Sequence, residues 1–292
     1  MPARLCVHIP DDAAVVRLLE DDGRATLGRD ADCDVVVVHS SVSRRHAVLY
    51  RDAIGWHIDD LDSKNGLRVD GERVTRHDLG AHCWFALGDV YCEFEQLADS
   101  QRDVLAQHAE RRRFSSRLWV ERIAVADSGE QLLAHILTAV VELAECQRGF
   151  LLVGDGRGEM TVGARYNLLA EDMTGTRFEG SRSALAKAMR ERRLVMLTSS
   201  EDRGWLRQQA SVIALGLRSL VCLPLEHDGE LVGAVYADSD VLGRIFTTLD
   251  AQLLRAFAQQ AAITLAAARV DGRLAALQQG LALDLARDGL SR

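Results

Sequence analysis

Three short polar clusters lie within the first hundred residues: Gly28-Arg29, Ser43-Arg44-Arg45-His46 and Ser63-Lys64-Asn65-Gly66. Arg29 and Lys64 supply charged donors, Ser43 a hydroxyl and Asn65 an amide. This set describes a receptor for an anion and not a catalytic centre. A phosphorylated side chain suits it. Phosphothreonine carries about −1.5 to −2 charge at neutral pH and three acceptor oxygens, so fixed donors separate it sharply from the bare hydroxyl. Apolar, strand-like runs part the clusters, which places them where loops meet one end of a β-sandwich.

The elements that would hold the clusters are short β-branched or alternating runs from Arg4 to about Leu97. Val35-Val36-Val37-Val38 and Trp56-His57-Ile58 are examples, separated by Asp, Gly and Ser turn signals. The pattern predicts an all-β sandwich. Turn chemistry common to any sandwich accounts for the glycines of the clusters but not for Arg29. Gly55-Trp56-His57 and Asp59-Asp60 bring a histidine and acids close in sequence. Alternation on a strand sends them to different faces, so they are expected as surface groups flanking the phosphate loops.

The ordered set resembles the forkhead-associated (FHA) domain, whose pattern is Gly-Arg after an early strand, Ser-x-x-His, and Asn-Gly within Ser-x-Asn-Gly. The frame is similar as well: Leu27-Gly28-Arg29, Val42 to Ala47, Asp60 to Gly66, and a closing Leu87-Gly88-Asp89. The resemblance implies that Arg29 and Ser43 contact phosphate, that Lys64 sits in the phosphate-side loop, and that Asn65 holds the peptide backbone. It also implies that His46 braces the loops without touching ligand, with Gly28 and Gly66 shaping them. Arg44 is placed with the binding set; for Arg44, Arg45 and Arg68, solvated loop charge and peptide contact both remain open. Leu67 stands where the family often has Thr, and Asp70-Gly71 where it often has Asn-Gly, departures that bear on peptide selectivity more than on phosphate binding.

At Asp99 the texture changes. Asp99 to Ser128 lacks Gly and Pro, is rich in Gln, Glu and Arg, and carries Val104, Leu105, Leu118 and Val120 on a loosely helical pattern. It is expected to be a helical linker with Arg111-Arg112-Arg113 on a solvated face. Ser128 to Glu145 then has helical spacing with Ser128 as its cap. Phe150 to Val153 and Glu159 to Gly163 predict a hairpin around a glycine-rich turn that lacks the strand-to-helix context of a nucleotide loop. A helix from about Ser183 to Arg193 leads into Leu194 to Leu197. The strongest strands, Ser219 to Leu225 and Leu231 to Ala237, meet at an Asp228-Gly229 turn.

Arg218 to Leu225, Gly229 to Asp238, and Phe246-Thr247 with Leu249-Asp250 opening a long helix resemble a GAF domain, a PAS-like sensory α/β fold, over roughly Ile123 to Arg269. The resemblance implies an antiparallel sheet with helices on one face and a ligand cavity, with Arg165 to Gly180 and Glu201 to Gly216 as lids. The signature of cyclic-GMP-binding members is not apparent. Thr247 and Asp250 form a capping box for the last helix, which Asp271-Gly272 is expected to weaken or break. Its apolar stripe serves either a dimeric bundle with the linker or packing within one chain. The organisation expected is an FHA-like sandwich at 1–98, a linker at 99–127, a GAF-like domain at 128–270 and a helical tail at 271–292.

Composition narrows the function classes. With 292 residues, 48% hydrophobic and 27% charged, the chain has room for two cores. A net charge of −8 argues against nucleic-acid binding, and no apolar run approaches a membrane span. The first ten residues lack signal-peptide character, so a cytoplasmic location is expected. Basic charge is almost wholly arginine, Lys64 and Lys187 being the only lysines, which suggests a GC-rich bacterial source. The six cysteines show neither Cys-x-x-Cys nor zinc-ligand spacing to histidine, so neither metal nor disulfides are expected. Cys222, on a strand of the second domain, reads mainly as core packing.

No cofactor and no catalytic constellation emerge. The leading expectation is a non-catalytic signalling adaptor. Its FHA-like module would bind a phosphothreonine-containing protein, a Ser/Thr kinase or its substrate, while the GAF-like module senses an unidentified small ligand or forms a homodimer. The alternative is a small-molecule sensor, nucleotides included, whose FHA-like domain is a scaffold.

Overall fold

The computed structural model describes residues 1–10, 12–21, 23–154, 159–168, 179–198, 219–241 and 245–289. The chain divides into two units. The first is Met1–Arg113 with Met196–Thr198 and Arg244–Ala251; the second is Phe114–Val195 with Ser199–Gly243 and Gln252–Arg292.

The first unit is built from β1 (Ala3–His8), β2 (Val15–Leu19), β3 (Arg24–Gly28), β4 (Val35–Val36), β5 (Ala47–Arg51), β6 (Trp56–Asp60), β7 (Leu67–Val69), β8 (Glu72–Val74), β9 (Arg76–Asp78), β10 (His82–Leu87) and β11 (Val90–Gln96). One sheet runs β2-β1-β11-β10-β7-β8 and the other β4-β3-β5-β6-β9. Period-two alternation sends Leu5 and Val7 of β1 and Cys92 and Phe94 of β11 into the core. There they meet Leu27, Leu49 and Ile58 from the second sheet. Trp56 packs on Phe94 with ring centroids 5.7 Å apart. Each such buried side chain contributes about 1.5–3 kcal/mol. Asp70 and Gly71 take positive φ, +52° and +85°, between the paired Val69 and Glu72. They make the two-residue hairpin turn that Asn-Gly makes elsewhere.

His57 departs from the expectation of a surface group. It is buried, with Nδ1 2.6 Å from Asp78 Oδ1 and Nε2 2.8 Å from Asp52 Oδ1. Two carboxylate partners make both nitrogens donors, the imidazolium form. Its pKa is raised, first by the hydrogen bond to Asp52, against the opposing effect of burial, and then by the bond to Asp78. The Asp52 carboxyl is lowered to about 2, mainly by the same bond to His57. A raised histidine pKa gives stability that is complete below the ordinary value of 6.5 and is lost as pH rises through the folded-state value. Thermal melts of wild type and His57→Gln should therefore differ most in mild acid, by an amount on the order of 1 kcal/mol, and converge toward alkaline pH. A gap that widens with pH would contradict the charged pair.

The helix α1 (Asp99–Ala124) forms where the linker was expected, but it buries Ser116, Trp119 and Ile123 and leaves Val104 and Leu118 exposed. Arg112 is not on a solvated face: it pairs with the buried carboxylate of Asp250 inside the first unit. The Thr247 N–H donates to Asp250 Oδ2 at 2.5 Å and the Asp250 N–H to Thr247 Oγ1 at 3.4 Å, completing the expected capping box.

In the second unit, α2 (Gly129–Leu143) starts at its cap, Ser128, whose Oγ accepts from the Gln131 N–H at 3.1 Å. Its face of Leu132, Ile136, Leu137 and Val140 is buried. The chain continues as β12 (Arg148–Gly154), β13 (Met160–Tyr166), α3 (Glu179–Glu191), β14 (Val195–Thr198), β15 (Ser219–His227), β16 (Glu230–Ser239) and α4 (Thr248–Gly289). Antiparallel pairing places β12 between β13 and β16, and β16 beside β15. Phe150 stacks on Tyr236 at 5.1 Å. Buried Asp238 accepts from Tyr236 Oη at 2.6 Å and from Arg148 Nε at 2.5 Å. Burial still raises its pKa, because desolvation outweighs those two partners.

Of two expectations for this unit, one is overturned and one agrees with the structure. The last helix does not break at Asp271-Gly272 but continues to Gly289. One interior glycine costs only about 1 kcal/mol, which the surrounding Ala, Leu, Gln and Arg residues offset. Cys222 is fully buried with its thiol pKa pushed up by burial, as core packing requires. All six cysteines are free thiols. Residues 155–158 of the glycine-rich turn, 169–178 of the first lid and all of 201–216 lie outside the described residues. Among the described residues no helix is long and apolar enough to cross a membrane.

Candidate functional site

The three clusters converge at one end of the sandwich. Arg29 follows β3 directly; its N–H donates to Ser43 O at 2.9 Å and its Nε to Val42 O at 3.2 Å. One edge of the guanidinium is thus anchored to protein, and the rest of the fork stays exposed. Gly28 is required by crowding. A Cβ there would stand 2.1 Å from Arg44 O and 2.8 Å from Cys33 Sγ.

His46 ties the loops from beneath. Its ring is wholly buried, Nδ1 accepts from the Ser43 N–H at 3.1 Å, and Nε2 faces Gly66 O at 3.2 Å. An acceptor at Nδ1 fixes the proton on Nε2, so the ring is neutral and donates to Gly66. Burial lowers its pKa, ahead of the opposing effects of the Gly66 bond and the Asp60 charge. Ser43 Oγ accepts from the Lys64 N–H at 3.0 Å, joining the second loop to the third.

The third loop is set by Asp60. It accepts from Ser63 N at 3.1 Å and Ser63 Oγ at 2.5 Å, and Ser63 Oγ in turn accepts from Gly66 N at 3.0 Å. Gly66 has φ +80°, and a Cβ there would meet Arg73 Nε at 2.4 Å. Arg73 Nη2 donates to Ser63 O at 3.1 Å. Asn65 Nδ2 donates to Ser41 O at 2.7 Å, and buried Ser41 also takes the Asp89 N–H on its Oγ at 2.9 Å.

Above this frame lies a groove of about 730 Å³ whose lining includes Arg29, Ser43, Arg44, Arg45, Lys64 and Asn65. Four cationic side chains meet two carboxylates there, Asp30 and Asp62. Excess positive charge, the Ser43 hydroxyl and the anchored Asn65 amide in one groove can hold a dianionic phosphate while leaving its ester chain in the open. The structure brings together every residue assigned to binding from sequence. It adds Arg45 to the lining, and Arg68 is exposed without being part of it. Ser41, Asp60 and Arg73 were missed as bracing groups. Asp60 and Ser63 stand in an Asx-like spacing that signals such a turn, whereas nothing local marks Ser41 or Arg73.

The FHA domain model matches residues 25–88, and the GAF domain model matches residues 126–266. Among solved structures, the FHA domain of the CT664 protein from Chlamydia trachomatis is 27% identical, covering 34% of this chain and 100% of that one, with a TM-score of 0.31. Rv1747 FHA-1 of Mycobacterium tuberculosis is 30% identical over 32% of this chain and 97% of that one, with a TM-score of 0.29. The GAF domain of a phosphoenolpyruvate-protein phosphotransferase from Coxiella burnetii is 16% identical over 56% and 98%, with a TM-score of 0.43. Among curated proteins, none matches the chain. A β-sandwich with its loops tied by His46, followed by an α/β unit matched from residue 126, makes this chain an FHA domain followed by a GAF domain.

Proposed function

We propose that the chain is a non-catalytic signalling adaptor that docks phosphothreonine-containing segments of other proteins in the groove above His46. FHA domains bind phosphothreonine partners, and GAF domains bind small ligands or mediate dimerisation. The observation that carries the reading is the convergence of Arg29, Ser43, Lys64 and Asn65, from three separate loops, on one cationic groove. In this reading Arg29 and Ser43 take the phosphate, Lys64 adds charge beside it, Asn65 holds the peptide backbone, and Arg44 faces a flanking residue. Gly28, His46 and Gly66 shape the loops. Residues 1–98 serve as the docking module, 99–127 as a helical linker, 128–270 as the sensory module and 271–292 as a helical tail. The partner is a Ser/Thr kinase or its substrate, met in the cytoplasm.

A degenerate phosphothreonine peptide library, with its unphosphorylated counterpart as control, tests this. Binding is expected to the phosphorylated pool alone. Equal capture of both pools would overturn the adaptor and leave a small-molecule sensor with a scaffold sandwich.

A further inference from the structure

Away from the groove, the outer face of the sheet containing β1 and β11 gathers a thiol, an imidazole and a carboxylate. Cys6 and His8 are two residues apart on β1 and so share the face turned from the core. Glu93 on β11 is the direct cross-strand partner of Cys6. One ligand atom from each of the three lies within 4.8 Å of the others, and Cys6 Sγ is 4.0 Å from His8 Nδ1. Linear spacing hid this cluster, because Glu93 reaches it only through strand pairing.

We propose that Cys6, His8 and Glu93 form a zinc-binding site that clasps β1 to β11. Sulfur, nitrogen and oxygen donors together suit zinc, whereas magnesium and calcium take oxygen alone. Zinc bonds of about 2.3 Å to sulfur and 2.0–2.2 Å to nitrogen and oxygen put neighbouring ligand atoms roughly 3.3–3.6 Å apart in a tetrahedron. Small side-chain torsions close the observed spacing, and the paired strands hold the backbone still.

The surroundings are those of supported ligands. The His8 ring stacks on Trp84, with centroids 5.3 Å apart and planes 17° off parallel. His82 Nε2 lies 3.2 Å from Glu93 Oε1, orienting the carboxylate, and Arg4 is engaged mainly with Glu95 at 2.8 Å. Such partners fix ligand direction and add to metal affinity. Cys6 and His8 are only 4% and 6% exposed. On binding, the Cys6 S–H proton passes to solvent and a Zn–S bond forms. With a water molecule as the neutral fourth ligand, the thiolate and the Glu93 carboxylate balance the two positive charges, so the filled site is neutral, as a largely buried position needs.

The full chain, stripped with chelator, is titrated with Co²⁺ and then with Zn²⁺ in competition. The expected result is a thiolate-to-cobalt charge-transfer band that saturates near about one metal per chain and is displaced by zinc. Cys6→Ser is expected to lose the band, and His8→Gln to weaken affinity by about 10-fold or more. Cys83→Ser, on the neighbouring strand β10, should keep it. Circular dichroism of each metal-free variant reports folding, and if Cys6→Ser fails to fold, His8→Gln carries the test alone. Absence of a saturable wild-type band, a band unchanged in a folded Cys6→Ser, or unaltered affinity in His8→Gln overturns the site.

Discussion

Arg29→Ala is expected to weaken binding of a phosphothreonine peptide by roughly 10- to 150-fold. The figure follows from about 1.5–3 kcal/mol for a hydrogen bond to a charged group, at about 1.4 kcal/mol per tenfold in affinity. Among the described residues, the Arg29 guanidinium is the one cation of the groove held in place by a side-chain hydrogen bond, from Nε to Val42 O at 3.2 Å. Its fork therefore meets phosphate without first being ordered. Arg29→Lys should fall between, since it keeps the charge but loses the anchor and the planar geometry. Fluorescence anisotropy with phosphorylated and unphosphorylated peptide measures both. Because Arg29 is exposed, the melting temperature of Arg29→Ala should stay near wild type, and unchanged affinity in that folded variant would remove the residue from the site.

His46→Ala should act in the opposite manner, through the scaffold. It orphans the Ser43 N–H, a loss of about 1–3 kcal/mol, and empties a fully buried ring position, so a total of at least about 2 kcal/mol is expected. Peptide affinity should fall with it, because Ser43 is no longer held. Gly66 O keeps one donor, the Gly88 N–H at 3.2 Å, which limits the damage to the third loop. His46→Asn should recover part of the loss, since an amide oxygen can accept from Ser43 where Nδ1 did. A second signature is pH. With its pKa lowered in the fold, the neutral ring contributes fully above the ordinary value of 6.5, and stability falls as acid protonates it. Urea titrations at several pH values read both effects; a variant as stable as wild type would refute the bracing role.

The residues that line the groove were legible in the sequence, and those that brace them largely were not. Gly28-Arg29, Ser43, Lys64 and Asn65 announce themselves because charged and hydroxyl donors beside turn residues have few other uses. Ser41 and Arg73 join the site only through contacts made after the two sheets pack, to Asn65 and Ser63. His57 shows the limit of alternation as a guide. The strand period placed it, but the acids that bury it come from the β5–β6 loop and from β9, not from its own strand. Arg112 was misread for the same reason, since Asp250 lies far along the chain. The helix through Gly272 fails in another way: a single breaker was weighed without the helix formers on either side of it.

Bonds linking Ser43, His46, Lys64 and Gly66 tie the second and third loops of the groove to one another. A receptor whose loops are already ordered gives up little conformational entropy on binding. Partners with different flanking residues should then associate at similar rates and differ chiefly in how long they stay. Selectivity among phosphorylated partners becomes a matter of residence time.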